Sequence, residues 1–142
     1  MPQHLALITL LVRDYDHAIA FYVHTLGFSL LEDTDRGHGK RWVRVAPPAH
    51  ADPASPTPAA ALLLAPATTP AELASVGNQT GGRVFLFLHT DNFWRDYHAL
   101  TARGVKFVRE PVQQEYGVVA VFEDLYGNRF DLIGPGPIAH SQ

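Results

Sequence analysis

The sequence has no cysteine. That excludes a disulfide framework and any chemistry that needs a thiolate. It also has no apolar run approaching the roughly 20 residues that span a bilayer, so no membrane partner is expected. Neither sign of charge dominates: 11 Lys and Arg stand against 14 Asp and Glu, a formal net charge of −3 with His neutral. Such a chain has no electrostatic reason to hold nucleic acid or an anionic surface. The opening Met1-Pro2-Gln3-His4 carries no basic stretch of the signal-peptide kind, and a cytoplasmic, water-soluble protein is the expectation. A Gly-rich phosphate loop, a G-x-S-x-G elbow and an H-E-x-x-H helix are missing too.

What is present suits a core. With 142 residues, 46% of them hydrophobic, the chain is sized for one domain over 1–142. Leu5 to Val12 is an apolar run of strand length. Asp14 then offers a carboxylate to the bare amides of a helix start. Tyr15, Ile19, Tyr22 and Leu26 form one helical face, and Gly27 suits the left-handed residue that closes a helix. Phe28 to Asp33 and Arg41 to Val45 read as strands, with a turn over Asp35 to Lys40. Pro47 to Pro58 reads as a loop able to act as a lid. Ala59 to Ala65 is a fourth strand, and Pro66 to Gly82 is irregular.

The same order then recurs. Val84 to Leu88 is a strand, Asp91 a second cap candidate, and Phe93, Tyr97 and Leu100 a helical stripe closed by Gly104. Strands follow over Phe107 to Glu110, ended by Pro111, then Gly117 to Phe122 and Arg129 to Ile133. The caps and closing glycines repeat at 77 residues and the helical stripes at 78, a mismatch of one. An internal repeat makes the chain one unit, strand, helix and three strands, used twice. The fold class is α+β: two βαβββ modules, about 4–66 and 82–134, forming a curled mixed sheet around a cavity. A helix covers one face of each small sheet, and the other face is left for a small molecule.

Two stretches carry a resemblance. Leu11-Val12-Arg13-Asp14-Tyr15-Asp16-His17-Ala18-Ile19-Ala20-Phe21-Tyr22, with Leu26-Gly27-Phe28, resembles the opening of vicinal oxygen chelate proteins, the glyoxalase, bleomycin-resistance and dioxygenase group. Phe122-Glu123-Asp124-Leu125-Tyr126-Gly127-Asn128-Arg129-Phe130-Asp131-Leu132 resembles their D-P-x-G-N-x-x-E-L close. The resemblance spans about Leu5 to Ile133 and implies the fold named above. It does not fix the function, because the group contains metal enzymes and metal-free binders alike.

Metal-dependent members place His, Gln or Glu on the first and last strands of each half, where the ion acts as a Lewis acid. Counting onto this chain puts those positions at Leu7, at Leu64 or Leu62, at Phe85 and at Asp131. Only Asp131 offers a donor atom, so no metal ligand and no cofactor are expected, with a divalent metal as the alternative. Phe85, Phe87 and His89 share one parity on the fifth strand. Trp42 and Arg44 share another; they either give the cavity an aromatic wall and a cation or face solvent with Lys40. Gln79, in Asn78-Gln79-Thr80-Gly81-Gly82, either bonds a ligand or sits in a plain turn. Tyr116 lines the mouth or is a surface aromatic. Asp131 is a candidate base, as is His89; otherwise Asp131 simply accepts a hydrogen bond. The pair Glu123-Asp124 reads as turn chemistry.

The resemblance implies a binder of a small organic molecule, like the antibiotic-binding, bleomycin-resistance branch, working as a homodimer. Whether the chain is an enzyme stays open. The alternatives are a glyoxalase-like or dioxygenase-like metal-dependent lyase or isomerase, and a metal-free enzyme using Asp131 or His89.

Overall fold

A computed structural model describes residues 2–48 and 59–135, and the proline-rich loop from 49 to 58 lies outside the described residues. The chain divides into two compact units, Met1–Val76 and Gly77–Gln142. Each holds one four-stranded mixed sheet, and neither sheet closes into a barrel.

In the first unit β1 (Leu7–Val12) leads into α1 (Tyr15–Ile19), which continues as a π-helical turn over Ala20–Thr25. Then follow β2 (Ser29–Gly37), β3 (Lys40–Ala46), β4 (Ala61–Pro66) and α2 (Pro70–Ser75). The strand order is β1-β4-β3-β2, with β1 parallel to β4 and the other pairs antiparallel. Asp14 caps α1 as expected, accepting from the His17 amide at 2.8 Å, worth about 1 kcal/mol. Register puts Leu10, Leu64 and Val43 side by side, and with Val12, Val45 and Leu62 they are buried on one face. Ala18, Tyr22 and Leu26 supply the buried stripe of the helix. The opposite face presents the row Thr9, Leu63, Arg44 and Glu32.

The stretch Pro66 to Gly82, expected to be irregular, contains α2. Its start was written in the sequence. Thr69 accepts from the Glu72 amide at 3.1 Å, Pro70 stands at the first helical position, and Glu72 reaches back to the Thr68 amide at 2.8 Å. This is a variant of the capping box. Backbone and hydroxyl donation from Thr68 holds the Glu72 carboxyl below its ordinary range.

The second unit repeats the plan with β5 (Val84–His89), α3 (Phe93–Ala102), β6 (Lys106–Gln114), β7 (Gly117–Glu123) and β8 (Arg129–Gly134), in the order β5-β8-β7-β6. Asn92, not Asp91, caps α3, accepting from the Arg95 amide at 3.1 Å. Asp91 pairs with the Arg95 guanidinium instead, at 2.9 Å. Strand β6 runs on through Pro111 rather than stopping there. Proline is tolerated because β6 is an edge strand, where one side of the backbone needs no partner.

The corrected cap explains the mismatch in the repeat. Asp14 and Asn92 stand 78 residues apart, as do Tyr22 and Leu100, whereas Gly27 and Gly104 stand 77 apart. The extra residue in the first unit lies within the π turn, whose wider loop absorbs it. The closing bonds differ accordingly: the Phe28 amide donates to the carbonyl of Tyr22, six residues back, and the Val105 amide to that of Leu100, five back. Beyond this point the units agree again. Both carry a bulge, at Leu31 and at Val108, at the 77-residue spacing.

The core of the second unit is aromatic. Phe122 and Phe130 stack at 5.0 Å, Phe107 meets Phe122 at 5.6 Å and Tyr97 of α3 at 4.6 Å. A clasp closes the entry to β8. Asp124 Oδ1 accepts from the amides of Tyr126, Gly127 and Asn128, each at 2.9 Å, and its Oδ2 accepts from the Asn128 side chain. Asn128 Oδ1 in turn accepts from the Gln79 amide at 3.2 Å. Gly77 is required beside it: at φ 75° a Cβ would stand 1.9 Å from the Tyr126 carbonyl oxygen. Asp124 is therefore turn chemistry, as read, whereas Glu123 ends β7 and faces Lys106 and Arg129.

Candidate functional site

Two of the rows of side chains on the face of the second sheet turned away from α3 form the candidate site, set by register. One runs Phe87, Asp131, Val121 and Arg109 from β5 to β6; the next runs His89, Ile133, Val119 and Val112. Phe87 is 62% exposed, a large apolar ring left in the open, and His89 is exposed beside it. Val121, 3% exposed, is the floor between two charges. Burial raises the Asp131 carboxyl above its ordinary value, opposed by the Arg109 guanidinium. Among the described residues, neither side chain, Asp131 or Arg109, makes a hydrogen bond or an ion pair within 4 Å; they act on each other only across the gap.

The other candidates fall as follows. Phe85 sits at a bulge, where strict alternation fails, and sets its ring edge-on to Phe130 at 6.3 Å. It reaches the aromatic core rather than joining the row cleanly. Trp42 and Arg44 do share the open face of the first sheet, each half-buried. Arg44 is engaged by Glu32 at 3.0 Å, and Arg36 lies over the Trp42 ring at 5.5 Å. Leu64 is 1% exposed in the core; the register gives the open-face place on β4 to Leu63. Gln79 belongs to the clasp. Tyr116 is 66% exposed at the tip between β6 and β7.

Sequence reasoning missed Arg109, Glu32 and Leu63. The first two lie one residue past a bulge, so simple parity assigns them to the wrong face. An internal alignment of β2 with β6 would have matched Glu32 to Arg109 as a pair of charges at equivalent sites.

A polar cleft of about 350 Å³ at the β2–β3 hairpin is lined by Asp33, Asp35, Gly37, His38, Gly39 and Arg41. Its groups satisfy one another. Arg41 forks onto Asp33 at 3.0 and 2.7 Å, holding that carboxyl low, and Asp35 accepts from the Gly37 amide at 2.8 Å. None of the residues singled out from the sequence lines it.

The metal positions counted from the resemblance carry Leu7, Leu64 or Leu62, Phe85 and Asp131, a set with one donor side chain. Among the described residues no three His, Asp or Glu side chains gather closely enough to hold an ion.

Two βαβββ units with the opening and closing motifs described place the chain in one class. The model of the Glyoxalase/Bleomycin resistance protein/Dioxygenase superfamily matches residues 3–132, and the chain belongs to that superfamily. Among its relatives, an uncharacterized protein of Shewanella frigidimarina (strain NCIMB 400) is 53% identical over 134 residues, covering 94% of each chain. Two solved structures are also similar. UcmS2 superposes with a TM-score of 0.76 at 32% identity, over 94% of this chain and 98% of that one. TnmS3, an antibiotic binding protein from Streptomyces sp. CB03234, does so at 0.71 and 31%, over 95% and 98%. Among the described residues no helix is long and apolar enough to cross a membrane.

Proposed function

We propose that this protein binds a small organic molecule of the antibiotic kind, one per site, without a resident metal and without turning it over. The observation that carries the reading is the near full-length likeness to TnmS3, an antibiotic binding protein. The open faces support it. Each offers an aromatic ring with polar neighbours by itself: the second sheet the exposed ring of Phe87 beside His89 and Asp131, the first the half-buried indole of Trp42 beside Arg44. The donor-poor positions Leu7, Leu62, Leu64 and Phe85 support the absence of a metal. In this reading the protein works in the cytoplasm as a homodimer, which sedimentation would register at twice the 15.6 kDa chain mass.

The test is titration of the protein with a panel of antibiotics that includes bleomycin, followed by calorimetry, with product analysis run in parallel. Saturable one-to-one binding with no product is the expected result. Phe87→Ala weakens that binding about tenfold while leaving the melting temperature in place, since the ring is mostly exposed. Absence of binding across the panel overturns the reading.

A second reading rests on Asp131, whose carboxyl is raised by burial. A raised carboxylate on an open face can take a proton from a bound substrate, making the protein a metal-free enzyme. Product formation that survives chelator and vanishes in Asp131→Asn would select it over the binder. Loss of product with chelator would select a metal-dependent lyase, isomerase or dioxygenase.

A further inference from the structure

About half of the charged side chains on the strands sit in ion pairs, as do some on the helices. Arg44 holds Glu32, Arg41 holds Asp33 and Asp16, and Arg95 holds Asp91 and Asp96. In the row just below the candidate site, Lys106 and Arg129 lie 3.7 and 3.8 Å from Glu123. Asp131 and Arg109 are not in these ion pairs, and unlike the other strand charges outside them they share one row on an open face. They face the same way across Val121, one strand from it on either side, the guanidinium acting on the carboxyl across the gap without a hydrogen bond between them. Neighbouring strands lie about 4.8 Å apart, so the two backbones are roughly 10 Å apart and Phe87 lies one strand beyond Asp131. Three recognition elements thus stand in a line, in the order ring, anion, cation, about 14 Å end to end.

We infer that this face takes an elongated aromatic zwitterion, its ring on Phe87, its ammonium on Asp131 and its acid group on Arg109; the inference rests on the reading of the protein as a small-molecule binder. A molecule with that order gives each side chain a hydrogen-bonded partner of opposite charge, and charge-assisted bonds at the two ends fix its direction. A neutral aromatic of the same length leaves a partly desolvated carboxylate without a partner and is discriminated against on that account. The groups facing Asp131 are Arg109 from β6 and His89 from β5, with Arg129, Glu123 and Lys106 one row away. Lys106 and Arg129 are turned to Glu123, which leaves Asp131 to a bound ammonium.

The probe is N-benzyl-4-aminobutyrate, which has ring, ammonium and carboxylate in the required order. N-benzylbutylamine lacks the acid, and 6-phenylhexanoate lacks the ammonium. Binding is followed by amide chemical-shift changes in the intact protein. The zwitterion should bind about tenfold more tightly than either control and shift the amides of β5, β6 and β8. Arg109→Gln should erase its advantage over the amine, and Asp131→Asn its advantage over the acid. Arg109 is exposed on an edge strand, so its variant keeps the test sound even if the Asp131 variant folds poorly. Equal binding of all three probes overturns the inference, as does a preference insensitive to both substitutions. If antibiotics bind as proposed above and the zwitterion shows no preference, this inference fails alone. If neither binds, both fail.

Discussion

The two sheets present equivalent rows on their open faces and use them differently. In the first, Thr9, Leu63, Arg44 and Glu32 lie across four strands; in the second, Phe87, Asp131, Val121 and Arg109 take the same places. The first row puts its two charges on adjacent strands, where they pair at 3.0 Å. The second puts a valine between its charges and an exposed phenylalanine at its end. One duplicated plan thus yields a row closed on itself and a row still open to a partner. Small changes at pairing positions, not changes of fold, make that difference.

The largest expected effect concerns a device present in the second unit. Asp124→Ala removes the acceptor for three amides and a side-chain amide. It should cost about 3 kcal/mol, read from the midpoint of denaturant unfolding. A cost under about 1 kcal/mol would mean that the entry to β8 is held by packing alone. Next comes Asp131→Asn. A carboxyl raised in the folded state keeps its proton to higher pH than in the unfolded chain. It therefore subtracts stability as pH climbs from the unfolded value through the folded one. The asparagine variant should melt about 2 °C higher than the parent at pH 7 and no higher at pH 3. Glu32 gives the smallest effect, with the opposite sign. Hydrogen bonds from Thr34 and Arg44 lower its carboxyl, so its contribution is present above the unfolded value and lost as pH falls through the folded one. Glu32→Gln should shift the melting temperature down slightly at pH 7 and not at all at pH 3. Slopes of the same sign for both variants would dissolve the contrast between the rows.

Much of the plan was legible in the sequence because it depends on local signals. Apolar runs at strand length, Asp14 before a helical stripe, and glycines at the left-handed positions 27 and 104 are each read within a few residues. So is the D-x-x-G-N turn. The cap at Asn92 was misplaced by one because Asp91 is an equally good acceptor in isolation; only the Arg95 guanidinium, which takes Asp91 away, decides between them. The helix α2 was passed over although Thr69-Pro70-Ala71-Glu72 announces it, since its six residues bury no stripe. The site was less legible than the fold. A row across a sheet depends on pairings between distant strands and on bulges at Leu31 and Val108 that flip parity, and neither leaves a mark in composition. Phe87, His89 and Asp131 could be found by parity; their partner Arg109 could not.

The clasp and the pairing of β5 with β8 also set an order of events for the second unit. Strands β6, β7 and β8 follow one another through short turns, so their pairing closes small loops and costs little entropy. Val84 must instead find Arg129, and Gln79 must find Asn128, 49 residues along the chain. The three-stranded meander is then the fast-forming part. On loop closure alone the attachment of β5 should come last and complete the row, because Phe87 meets Asp131 only when it succeeds. A chain caught before that step would carry both charges of the row on a finished scaffold while still lacking its aromatic end.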